Sequence, residues 1–208
     1  MKLQLALDGT LAQALTILES AHSFIDQIEI GTPLVLREGV AAVAAVNQRY
    51  PGIPVLADFK IADAGYEEAS IAFEAGATVV TVLGLAADPT VREAVEAARR
   101  YGGQIMADLI QATDLVGRSR KLLDLGCHVL CVHTGYDLQA HNQSPLDALT
   151  TLRDALPDAP LAVAGGIHAD TIAAIAALHP DLVIVGGAIT RADNPAAAAR
   201  TLKQRMQP

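Results

Sequence analysis

Aromatic residues make up only 3% of this 208-residue chain, and tryptophan is absent. The 51% of apolar residues is dominated by Ala, Leu, Val and Ile, as in α/β proteins that pack aliphatic strands against alanine-rich helices. Cysteine is scarce too. Cys127 and Cys131 form neither a CxxC pair nor a zinc pattern, and read as small buried residues of a cytosolic protein. No basic cluster interrupts a net charge of −8, which argues against a nucleic-acid or anionic-membrane partner. An anionic small substrate stays compatible, because charge within a site can oppose the global sign. The longest uncharged run, Ala75 to Ala87, is too short to cross a bilayer. Met1-Lys2 leads directly into Leu3–Leu7 without a secretory pattern, so a cytoplasmic location is expected.

What the chain does have is a repeat of structure. Strand-like runs occur at Leu3–Leu7, Gln27–Ile30, Val55–Phe59, Val79–Leu83, Ile105–Leu109, Val129–His133, Leu161–Ala164 and Leu182–Val185. Helix-length segments such as Leu11–His22, Thr90–Tyr101 and Asp170–Leu178 lie between them. Eight units in 208 residues leave 26 per unit, enough for a strand, a helix and two short loops. Asp88-Pro89 and Asn194-Pro195 read as N-caps followed by proline in the first turn. Gly76, Gly102 and Gly126 read as C-cap glycines before the next strand. No linker divides the chain, so residues 1–208 are expected to form one (β/α)8 TIM barrel. A doubly wound sheet would show a glycine-rich fingerprint after its first strand, where Asp8-Gly9-Thr10 stands instead.

The richest stretch is Asp58-Phe59-Lys60-Ile61-Ala62-Asp63, three charges in six residues after Pro54-Val55-Leu56-Ala57. Strand side chains alternate, so Asp58 and Lys60 project together, and burying them without partners is costly. Other strands alternate likewise: Gln4, Ala6 and Asp8 against Leu3, Leu5 and Leu7; Gln27 and Glu29 against Ile28 and Ile30. Asp108 follows Met106, and His133 follows Cys131, in the same phase. Aliphatic faces belong against helices, so the polar faces point into the barrel. The ionisable groups fall near the C-terminal strand ends, where barrels place their chemistry.

Glu29 and Asp58, from neighbouring strands, suit Mg²⁺ with substrate oxygens and water completing the shell; the alternative is that Lys60 neutralises one of them in an ion pair. Asp8 either orients a substrate hydroxyl or caps the next helix. His133, entering a carboxylate-rich mouth, is a candidate general acid or base. His22, His128, His141, His168 and His179 read as structural or solvated. Gly165-Gly166 and Gly186-Gly187 follow the seventh and eighth strands, where backbone N–H groups can cradle a phosphate.

Together these residues resemble the orotidine 5′-monophosphate decarboxylase suprafamily, whose Asp-x-Lys-x-x-Asp signature is met by Asp58, Lys60 and Asp63. Within it the match is closer to the 3-hexulose-6-phosphate synthase family. The likeness runs over essentially the whole chain, through Leu3-Gln-Leu-Ala-Leu-Asp8, Ile28-Glu-Ile-Gly-Thr-Pro33, Leu56 to Gly65, Thr81-Val-Leu-Gly84, Val132 to Ala140 and the two Gly-Gly loops. The related 3-keto-L-gulonate-6-phosphate decarboxylases carry arginine where this chain has Tyr136, Glu where it has Asp108, and arginine where it has Gly187. The resemblance implies an aldehyde-lyase that condenses formaldehyde with D-ribulose 5-phosphate through an Mg²⁺-stabilised enediolate. It implies Glu29 and Asp58 as metal ligands, Lys60 beside the enediolate oxygens, His133 in proton transfer and Asp8 on a hydroxyl. Asp108, Tyr136 and Asp137 would contact substrate. Asp63 would reach a neighbouring subunit's site, implying a homodimer with shared active sites. The competing expectations are the decarboxylase and a non-catalytic sugar-phosphate-binding barrel.

Overall fold

Strand and helix alternate along the chain, and the computed structural model describes residues 1–139 and 144–206. Eight parallel strands close in sequence order: β1 (Lys2–Leu7), β2 (Gln27–Ile30), β3 (Val55–Ile61), β4 (Val79–Leu83), β5 (Gln104–Asp108), β6 (Val129–His133), β7 (Leu161–Ala164) and β8 (Leu182–Val185). β8 pairs with β1 through Leu5 and Val185, so no sheet edge is left open. The expected TIM barrel is present.

Helices fill the crossovers. α1 (Leu11–Ala21) opens on a capping box in which Thr10 and Gln13 satisfy each other's amides. α2 (Thr32–Glu38) and α3 (Ala41–Arg49) follow β2, and α4 (Gly65–Glu74) follows β3. α5 (Asp88–Tyr101) ends at Gly102, whose φ of 68° is the left-handed cap expected there. Its start corrects the sequence reading: Ala87 is the N-cap, and Asp88 lies in the first turn, paired with Arg118 (2.6 Å). α6 (Leu115–Asp124), α7 (Tyr136–Gln139) and α8 (Leu146–Ala155) lead to β7. α9 is shorter than expected, Ile172–Ala176, because a turn over His168–Thr171 precedes it. α10 (Gly187–Thr190) and α11 (Pro195–Arg205) close the chain, the latter capped by Asn194 as expected. Ala140 and His141 lie outside the described residues.

Alternation separates two apolar regions. Leu3, Leu5, Leu7, Ile28 and Ile30 face outward into the main core between barrel and helices. A leucine lost from such a layer costs about 2–5 kcal/mol. The smaller cluster inside the barrel joins Ala6, Leu56, Met106, Cys131, Ala162 and Ile184. Both cysteines are buried and free. The polar inward positions sit over this plug, at the C-terminal rim.

β3 departs from simple alternation. Ala57 pairs with Val80, yet Ile61 pairs with Val82, so β3 spends four residues where β4 spends two. Lys60 sits in this bulge with φ of 47°, a left-handed conformation that costs a lysine about 1–2 kcal/mol. Its amide donates to Thr81 Oγ1 (2.8 Å), which anchors the irregular backbone.

Candidate active site

At the C-terminal mouth lies a cavity of about 1550 Å³ whose wall includes Asp8, Glu29, Asp58, Lys60, Asp108 and His133. The hexapeptide supplies its centre. Lys60 Nζ contacts Oδ2 of Asp58 and lies 3.3 Å from Oδ2 of Asp108. Burial disfavours the ammonium, but these two carboxylates outweigh it and raise its pKa. Lys60 is therefore a fixed cation. The ion pair weighed as an alternative in the sequence is present, and Asp58 is further held by Thr32 Oγ1 (2.8 Å) and Thr81 Oγ1 (2.8 Å).

Asp108 is 3% exposed and uses both oxygens within the protein. Oδ1 accepts from Ile110 N–H (2.9 Å) and Oδ2 lies 2.9 Å from His133 Nδ1. Burial pushes its carboxyl up, but the His133 hydrogen bond, the His133 and Lys60 charges and the Ile110 amide reverse that and lower its pKa. An ionised Asp108 takes the Nδ1 proton of His133, which leaves Nε2 with the lone pair. Asp108 thus orients the histidine, a place beyond the substrate contact expected of it.

Glu29 is 9% exposed, and its carboxyl is pushed up to about 8, first by burial and then by the Asp58 charge. Gln4 Nε2 donates to its Oε2, leaving Gln4 Oε1 buried without a partner. Asp8 stands at the rim, raised by desolvation and by Asp58. It does not cap α1, which Thr10 does. A Cβ at Gly31 would collide with Asp8 Oδ1, so that glycine makes room for the carboxylate.

Two buried carboxylates from adjacent strands, one disfavoured as an anion by the other, are a fit for a hard divalent cation. Among the described residues no group of three His, Cys, Asp or Glu converges on a metal position. A cation there would draw its other ligands from water or substrate, as Mg²⁺ does.

Gly165, Gly166, Gly186 and Gly187 line the same cavity. Gly165 has φ of 98°, and a side chain there would strike the Thr134 carbonyl, so close strand approach as well as backbone sign selects it. Tyr136 also lines the cavity, although 73% exposed. Asp63 and Asp137 are exposed and lie off the cavity wall. The sequence reading missed Thr32, the amide of Gln4 on Glu29, and Arg191 on the cavity wall. Thr81 was quoted within a motif without a role; its inward phase on β4 was the available signal.

The profile of the orotidine 5′-phosphate decarboxylase / HUMPS family matches residues 1–202. The chain belongs to this family. It is 46% identical to 3-hexulose-6-phosphate synthase 1 of Staphylococcus saprophyticus over 201 residues, 96% of each chain. Among solved structures, 3-hexulose-6-phosphate synthase from Salmonella typhimurium superposes with a TM-score of 0.97 at 45% identity, covering 99% of this chain and 98% of that one. A KGPDC from Streptococcus mutans, solved with D-ribulose 5-phosphate, gives 0.92 at 28% identity over 99% and 97%. No described helix is long and apolar enough to cross a membrane.

Proposed function

We propose that this chain is a 3-hexulose-6-phosphate synthase, an aldehyde-lyase that joins formaldehyde to D-ribulose 5-phosphate. The observation that carries this reading is the Asp58–Lys60–Asp108–His133 network at the mouth of a barrel 46% identical to a named synthase. The reaction needs a base at carbon 1, positive charge at the sugar oxygens and a grip on the distant phosphate. His133 Nε2 takes the proton from carbon 1. The resulting enediolate attacks the formaldehyde carbon, and the new alkoxide regains a proton, so no electrons leave or enter. Lys60 stands by the developing oxyanion as a preformed cation. Mg²⁺, held by Glu29 and Asp58, would supply Lewis-acid charge to the sugar oxygens. Asp8 orients a hydroxyl, and the glycine loops hold the phosphate, whose binding energy positions the reacting end.

The reading includes a cytoplasmic homodimer. Asp63 is exposed away from its own cavity, and Leu36, Tyr66 and Ile71 on α2 and α4 are exposed apolar residues suited to burial against a second copy. Purified protein with Mg²⁺, ribulose 5-phosphate and formaldehyde should consume formaldehyde and lose that activity in EDTA. Carbon dioxide release from 3-keto-L-gulonate 6-phosphate, with no formaldehyde loss, would overturn the assignment.

A further inference from the structure

The geometry points to Arg191 as the side chain that grips the substrate phosphate, in space left open by the missing side chain at Gly187. This inference rests on the sugar-phosphate reading above. Three permanently cationic side chains line the cavity: Arg37, Lys60 and Arg191. Two are already engaged. Arg37 donates to the carbonyls of Asp8 (2.7 Å) and Pro33 (3.1 Å), and Lys60 is held between Asp58 and Asp108. Arg191 uses its backbone N–H on Gly187 O (3.1 Å), while its guanidinium makes no hydrogen bond or ion pair among the described residues.

That guanidinium lies against the backbone just after β8. A Cβ built on Gly187 would fall 2.5 Å from its Cζ and 2.9 Å from Nη1, with Nη2 nearer still. Gly187 has no left-handed φ, so the backbone itself tolerates alanine there. Glycine is required for the space the guanidinium occupies. β7 pairs with β8, so Gly165-Gly166 open from the neighbouring strand end on the same wall. A planar fork of donors beside such exposed backbone suits a phosphate dianion better than a neutral hydroxyl.

Ribose 5-phosphate binding by calorimetry tests this directly, alongside steady-state kinetics with ribulose 5-phosphate and with unphosphorylated ribulose. Arg191→Ala should weaken ribose 5-phosphate binding and raise KM for the phosphorylated substrate about tenfold or more, with kcat changed less. Ribulose kcat/KM should stay as in the parent. Gly187→Ala should weaken phosphate-ester binding in the same direction, because the methyl evicts the guanidinium. Combining it with Arg191→Ala should add nothing further. Gly187→Arg in the Arg191→Ala background should restore part of the affinity. Unchanged ribose 5-phosphate binding in Arg191→Ala, or equal losses for ribulose and its phosphate ester, overturns the inference even if formaldehyde is fixed. The same binding pattern in a protein that fixes no formaldehyde upholds Arg191 while removing the proposed reaction.

Discussion

His133 Nδ1 lies 2.9 Å from Oδ2 of Asp108, and that pairing decides which imidazole nitrogen can act as a base. With Asp108 ionised, Nδ1 carries the proton and Nε2 is free. Asp108→Asn removes the charge that holds this tautomer and stabilises the imidazolium formed during turnover. The kcat should fall about 10²–10⁴-fold with a smaller change in KM. His133→Asn should do at least as much, and the double variant should be no worse than His133→Asn alone, since the two act as a unit. Asp108→Asn with kcat within threefold of the parent would remove the orienting role.

Glu29 predicts an unusual pH dependence of stability. Its carboxyl is raised in the folded protein to about 8 from an ordinary 4.5. The folded state therefore binds this proton more tightly than the unfolded chain does. Its contribution is full below about pH 4.5 and is lost as pH rises through about 8. Without divalent metal, the parent should lose a few kcal/mol more between pH 5 and 8.5 than Glu29→Gln, which keeps an acceptor for Gln4. Denaturant melts across that range check it, and parallel curves for the two proteins would refute it.

The same carboxylate pair predicts a metal linkage. At pH 7 Mg²⁺ should raise the melting temperature and release up to about one proton from Glu29 as it binds. Calorimetry in buffers of different ionisation enthalpy measures that proton. Asp58→Asn and Glu29→Gln should each abolish the stabilisation. A parent protein whose melting ignores millimolar Mg²⁺ would remove the metal from the mechanism.

The closed barrel was legible because its signal is local. Leu3, Leu5 and Leu7 against Gln4, Ala6 and Asp8 record two faces of one strand, and the same phase recurs at Glu29, Asp108 and His133. The partners of those residues were less legible. Gln4 bonds Glu29 across β1 and β2, and Asp108 reaches back to Lys60 from β5, contacts that register determines and composition does not. The β3 bulge was also hidden. Asp58 and Lys60 do meet, but through a left-handed Lys60 rather than through simple pleating. Arg191 carries no local motif; only the empty side of Gly187 discloses it.

Thr81 joins the bulge to the site, accepting from Lys60 N–H and donating to Asp58 Oδ1, each at 2.8 Å. Thr81→Val preserves shape but leaves both groups without that partner. The expected cost is about 1–3 kcal/mol in stability. A fall in kcat/KM should accompany it, because Lys60 and Asp58 lose their placement, whereas Thr81→Ser should retain most activity. Equal activity in Thr81→Val and the parent would show that the bulge holds itself.

Aldol chemistry invites a Schiff base at Lys60, and the structure argues against one. An amine must lose its proton to attack a carbonyl, whereas Asp58 and Asp108 outweigh burial and raise the pKa of this ammonium. Incubation with ribulose 5-phosphate and cyanoborohydride, without formaldehyde so that surface lysines are not methylated, should leave the intact mass unchanged. Activity should survive removal of the reductant. Lys60→Arg, which keeps the charge but not a nucleophilic amine, should retain more activity than Lys60→Met. A mass increase of one reduced sugar phosphate mapped to Lys60 would replace the enediolate route with a covalent one.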